Sequence, residues 1–177
     1  MVPVIHLPAS DRSGARAVIT QPSLRHAQVE ALLESLIQDR LFDNLPAETK
    51  AAVSSRIRTT VLGRMMEDII LMETSLAMGN CKVFTIQFPV GEFDMVIHDP
   101  SDITCRIFEI KHSTTMDVSQ IRFLKDEHKC AQTEFRYGRI TGRYVIYRGE
   151  DGELDGVEYL NAERYLESLG QLAHIGA

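Results

Sequence analysis

Small and apolar residues recur at helical spacing in the first half of the chain and at strand spacing in the middle. Leu24, Ala27, Ala31, Leu32, Ser35 and Leu36 follow i, i+3, i+4 intervals. They come after Pro22, a residue suited to a first helical turn, with Gln21 as a weak cap. Asp43-Asn44-Leu45-Pro46 interrupts that pattern. A second helical stretch, with a kink allowed within it, runs from near Pro46 to Met78, and Gly79-Asn80 is a C-terminal stop. From Cys81 the pattern changes. Cys81–Phe88 is rich in β-branched and aromatic residues and predicts a strand, followed by a turn at Pro89-Val90-Gly91. Glu92–His98 predicts a second strand, Asp99-Pro100-Ser101-Asp102 a strong turn, and Cys105–Lys111 a third strand, together an antiparallel meander. Asp117 caps a helix from about Val118 to Tyr137. Gly142–Arg148 is a fourth strand, Glu150-Asp151-Gly152 a turn, Val157–Leu160 a short fifth strand and Ala162–Leu169 a last helix. Residues 1–20 mix Pro, Ser, Gly and Arg without periodicity and read as an irregular leader.

The order α-α-β-β-β-α-β-β-α predicts an α/β fold, with a leader at 1–20 and an N-terminal helical extension at 21–56 preceding a core at 57–177. A length of 177 residues fits one domain, and 44% hydrophobic with 25% charged residues is ordinary for a globular chain. No apolar run reaches the roughly 20 residues a membrane helix needs. The start lacks a basic segment followed by an apolar one, so a cytoplasmic protein without a membrane partner is expected. Cys81, Cys105 and Cys130 are scattered and odd in number, without a CxxC pair, and read as buried reduced thiols rather than metal ligands. A net charge of −6 weighs against tight non-specific DNA binding. It does not exclude a nuclease, since an acidic metal site adds negative charge by design.

The second and third strands carry the chemistry. Glu109 and Lys111 are two residues apart and share one strand face, while Phe108 and Ile110 turn the other way into apolar packing. Asp94 shares a face with Glu92 and Val96, opposed by Phe93 and Met95. A hairpin joining these strands brings Asp94 beside Glu109. Two carboxylates so placed repel unless a cation lies between them, and hard oxygen donors suit Mg²⁺ or Mn²⁺. Lys111 can orient or deprotonate an attacking water, or neutralise charge on a scissile phosphate.

Asp94…Glu109-Ile110-Lys111 in a hairpin, preceded by a helix bearing Glu67 and followed by a helix and a strand, resembles the PD-(D/E)XK nuclease superfamily over about residues 57–170. Phe93-Asp94 stands where that pattern has Pro-Asp. Gly63-Arg64-Met65-Met66-Glu67-Asp68, Gly91-Glu92-Phe93-Asp94 and Phe108-Glu109-Ile110-Lys111 are also similar to the C-terminal domain of unknown function in a large family of predicted prokaryotic AAA-type ATPases. This chain has no P-loop. The resemblance implies a restriction-endonuclease-like core with a central mixed four- to five-stranded sheet flanked by helices. It implies a metal-dependent nuclease hydrolysing DNA through Asp94, Glu109 and Lys111, and, as restriction-like nucleases often work in pairs, a homodimer. The alternative is a catalytically silent module on the same fold that binds nucleic acid or protein.

Three further features bear on that reading. Glu67 lies on a helix apolar nearly all round (Val61, Leu62, Met65, Met66, Ile69, Ile70), where a carboxylate needs a partner. It is expected to help hold the metal or a metal-bound water. Arg122, Lys125, Lys129 and Arg136 project within roughly one-sixth of a turn of a single helix. That row, beside an apolar stripe of Ile121, Leu124, Ala131 and Phe135, could follow a nucleic-acid backbone. Gln120 projects toward the sheet, and in some members of the superfamily a Gln on this helix completes the site. His112, next after Lys111, is expected on the opposite face in a structural role.

Overall fold

The computed structural model describes the backbone of residues 2–6, 13–16, 22–38 and 43–175, and the side chains of 27–35 and 43–171. Along the chain it forms β1 (Val2–His6), β2 (Ser13–Arg16), α1 (Pro22–Gln38), α2 (Ala47–Ala77), β3 (Lys82–Gln87), β4 (Glu92–Asp99) and β5 (Thr104–Lys111). There follow α3 (Val118–Ile121), α4 (Glu127–Tyr137), β6 (Arg139–Tyr147), β7 (Gly152–Leu154), β8 (Val157–Asn161) and α5 (Ala162–Ile175). The strands form one sheet in the order β2-β1-β3-β4-β5-β6-β8-β7. The meander β3-β4-β5 is antiparallel as expected, whereas β6 joins β5, and β8 joins β6, in parallel. Parallel neighbours need a crossover, which α3 and α4 supply between β5 and β6.

Helices cover both faces. On one, Ile70 and Leu71 of α2 and Ala162 of α5 pack with Val83, Met95, Ile97, Phe108, Ile110 and Ile146. On the other, Ile121, Leu124 and Cys130 pack with Phe84, Phe93, Val96, Ile107, Val145 and Tyr147. Each such side chain contributes roughly 1.5–3 kcal/mol of burial, so the helix–sheet layers hold the fold. The alternation that sets Phe108 and Ile110 against Ile107 on β5 directs Glu109 and Lys111 toward the α3 and α4 side. No described helix is long and apolar enough to cross a membrane.

Several expectations are corrected. The sheet has eight strands rather than four or five. The excess lies partly in the segment read as an irregular leader, where Val2–His6 pairs with both Ser13–Arg16 and β3. Pro3 punctuates a five-residue strand that carries little periodic signal. Residues 1, 7–12 and 17–20 of that leader, and Gln21, lie outside the described residues. The other excess strand is β7, which starts at Gly152, the last residue of the expected turn, and pairs three residues with β8. Residues 56 and 57, where the extension was expected to meet the core, are consecutive in the unbroken helix α2. Among the described α1 side chains, residues 27–35, the buried one is Leu33 (1% exposed), while Leu32, assigned to the apolar face, is 57% exposed; the side chains of Leu24 and Leu36 lie outside the described residues. The two leucines are adjacent and the flanking alanines too small to choose between faces. The helix expected over 118–137 is two helices. Asp117 caps α3 by a capping box with Gln120, and Asp126 caps α4 by accepting from the Lys129 N–H.

Gly138, which links α4 to β6, has φ +80, and a Cβ there would lie 1.8 Å from the Ile103 carbonyl oxygen. Gly138→Ala should therefore cost about 2–4 kcal/mol, read as a lower denaturation midpoint at unchanged m-value.

Candidate functional site

A β-bulge aims the first carboxylate. Phe84 pairs with Val96 and Ile86 with Phe93, so Asp94 and Met95 together oppose the single residue Thr85. The Thr85 hydroxyl donates to the Asp94 carbonyl at 2.9 Å and holds the bulge. Strict alternation sets Phe93 with Met95. The extra residue instead places Phe93 in the cluster of Val96, and Met95 in that of Ile97. The β4–β5 ladder runs from Asp99–Thr104 to Met95–Phe108. Beyond its end the Asp94 carboxylate takes over as acceptor for the Ile110 N–H, at 2.8 Å.

Lys111 then links the two acids. Its ammonium lies 2.9 Å from Asp94 Oδ2 and 2.5 Å from Glu109 Oε2. Asp94 is 4% and Glu109 2% exposed. Burial and then the Asp94 charge push the Glu109 carboxyl up to about 8, with Lys111 opposing. Burial acts to lower the Lys111 ammonium, but Asp94 and Glu109 outweigh it and hold it above the ordinary lysine range. Lys111 is thus a cation across neutral pH, and it neutralises charge rather than accepting a proton. Glu109 Oε1 is buried with no hydrogen-bond partner. A buried acceptor left unpaired costs about 1–3 kcal/mol, and such atoms mark places where something else binds.

The cluster borders a pocket of about 360 Å³, walled by α2 residues (Thr59, Thr60, Gly63, Arg64, Glu67), the end of β5 (Ile110, Lys111) and His112, Ser113 and Gln120. Glu67 lines the pocket with its carboxylate 2.7 Å from Arg64, which also lies 3.9 Å from Glu92. Asp68 beside it is the α2 carboxylate buried at 1%. Only the adjacency Glu67-Asp68 hinted at it in the sequence. Gln120 reaches the pocket, but its amide is engaged by Ser113 Oγ, the Thr115 carbonyl and the Asp117 N–H. His112 takes the face opposite Lys111, as expected: a Cβ at Gly63 of α2 would lie 3.9 Å from the His112 Cβ, on the Ile110 side of the strand, and the imidazole joins the pocket wall. Its Nε2 lies 3.2 Å from Arg148 Nη1, an interaction without a sequence signal. Burial, and then the Arg148 charge, hold His112 below the usual histidine range.

The basic row does not form. Arg122 and Lys125 fall in the turn between α3 and α4, so the projection onto a single helix fails. Arg122 stacks over Phe123, and Lys125 lies 3.4 Å from Asp155. Lys129 is 12% exposed, bonded to Asp126 at 2.7 Å and lying over Phe88 and Phe123. Arg136 is exposed on α4, and Phe135, assigned to the apolar stripe, is 92% exposed.

Asp94 and Glu109 are oxygen donors that could hold a hard divalent cation, with Glu109 Oε1 free to ligate. Among the described residues no three His, Cys, Asp or Glu side chains converge as a metal cage. Glu67, expected as the third ligand, is turned to Arg64. One or two carboxylates with waters nonetheless suffice for Mg²⁺, so the donor set fits.

The raised Glu109 value has a consequence for stability in the presence of a chelator. Folding raises this pKa from about 4.5 to about 8. Its contribution is therefore complete below the unfolded value and is lost as pH rises through about 8, at up to about 1.4 kcal/mol per pH unit. Thermal midpoints should fall from pH 5 to pH 8 in the wild type, and Glu109→Gln should flatten that dependence. Parallel profiles for the two proteins would show that Glu109 ionises normally.

Comparison of the chain with protein-family models, with curated proteins and with solved structures returns no match.

Proposed function

We propose that this protein is a metal-dependent nuclease that hydrolyses phosphodiester bonds of DNA at the Asp94–Glu109–Lys111 cluster. The observation that supports the reading is the buried, unpartnered Glu109 Oε1, beside Asp94 and linked through Lys111 to the wall of the pocket. Asp94 and Glu109 would hold Mg²⁺ or Mn²⁺, with Glu67 across the pocket as a support for bound water. When bound, such an ion lowers the pKa of a coordinated water and offsets charge on the phosphoryl oxygens.

The chain's own groups supply the rest. The Ile110 N–H fixes the Asp94 carboxylate, so its orientation does not depend on a ligand. Lys111, fully charged, places a positive group where a scissile phosphate gains negative charge. Gln120 ties Ser113 and Thr115 into the pocket wall and acts as a positioning residue. The closure of both carboxylates onto Lys111 favours a second reading, a module on the same fold that binds nucleic acid without cleaving it.

Supercoiled and single-stranded DNA incubated with Mn²⁺ should be cleaved by the wild type. Asp94→Asn, Glu109→Gln and Lys111→Ala should each lose about 10²-fold or more in rate. Asp94→Asn keeps an acceptor for Ile110, and a thermal melt of each variant separates loss of activity from loss of fold. Calorimetric Mn²⁺ binding without cleavage would assign the silent module. Cleavage by all three variants at the wild-type rate would remove the cluster from the chemistry.

A further inference from the structure

The cations around the pocket differ in how far they are neutralised. Lys111 is held by two carboxylates, and Arg64 by Glu67 with Glu92 nearby. Arg148 stands apart. It directly follows β6, and its backbone N–H donates to the Ser113 carbonyl at 2.8 Å, which pins it to the pocket loop. Its guanidinium has no carboxylate within ion-pair distance among the described residues. Among the described residues its one side-chain hydrogen bond is Nη1 donating to His112 Nε2 at 3.2 Å. A guanidinium has five N–H donors, so most of them have no acceptor among the described residues. His112 accepts from Arg148, so it orients the guanidinium without cancelling its charge.

We propose that Arg148, steered by His112, binds a nucleic-acid backbone phosphate adjacent to the one at Lys111. This rests on the nuclease reading for the identity of the ligand. It assigns the pocket's phosphate anchor to the end of β6 rather than to the helix after the site. A guanidinium suits the role because its fork matches two phosphate oxygens at once.

The test is fluorescence anisotropy of a short labelled single-stranded oligodeoxynucleotide over a salt series, in EDTA. No divalent ion is present, so failure of metal-dependent cleavage and failure of this subsite are read separately. Arg148→Ala should weaken binding about 5- to 20-fold and reduce the slope of log K against log salt by about 0.7, the value for one contact to a single strand. Arg148→Lys should keep the slope and recover part of the affinity. Arg139→Ala removes the same charge at the opposite end of β6 and should leave the slope as in the wild type. An equal loss in Arg139→Ala would show diffuse attraction and overturn the subsite. So would an Arg148→Ala protein that keeps the wild-type affinity and slope, or a wild type without salt-dependent binding. Thermal midpoints of Arg148→Ala and wild type should coincide, because the exposed guanidinium contributes little to folding.

Discussion

One ammonium group shared between two buried carboxylates sets the local design of this protein. Lys111 lies on the same strand face as Glu109 and reaches across to Asp94, so three ionisable groups occupy a space that apolar side chains could fill. Such clusters are poor investments in stability: replacing a buried charged set by well-packed hydrophobes is often neutral or favourable, whereas removing one member costs about 3–5 kcal/mol. The cluster also leaves Glu109 Oε1 without a partner. An arrangement that is expensive to keep and incomplete in itself is better explained by a ligand than by folding.

The surrounding fold is arranged to present that cluster. The sheet buries both faces, so the strand carrying Glu109 and Lys111 is rigid. The bulge at Asp94 and Met95 lets a hydrophobic strand turn one acid toward its neighbour without exposing Phe93 or Met95. The ladder ends where the Asp94 side chain begins to substitute for a backbone acceptor. Backbone pairing and site geometry are therefore satisfied by the same hydrogen bond.

What was legible in the sequence follows the strength of each local signal. The meander, the Asp117 cap and the shared face of Glu109 and Lys111 rest on alternation and turn chemistry, which are local, and the structure has them. The nearness of Asp94 to Glu109, both within reach of Lys111, required only a hairpin. The losses came where tertiary contacts decide. A single helix over 118–137 satisfied the periodicity, but the Asp126 side chain caps a new start and rotates the basic residues out of line. The Arg148–His112 contact joins positions 36 apart and leaves no trace in any short window. The strand Val2–His6 depends on β3 for a partner, and a five-residue segment containing proline does not announce such a pairing.

The helix α2 has a mechanical meaning beyond its packing. At 31 residues it is a rod of about 46 Å. Its carboxyl half is clamped by Ile70, Leu71 and Thr74, all buried, while its amino half is largely solvated and carries α1 through Arg58 and Glu30. Thr59, Thr60, Arg64 and Glu67 lie between the clamp and the free half. A stiff beam fixed at one end and loaded at the other moves everything in between. Any force applied to α1, whether from a bound molecule or from the rest of a longer chain, would thus be delivered as a change in the width of the pocket.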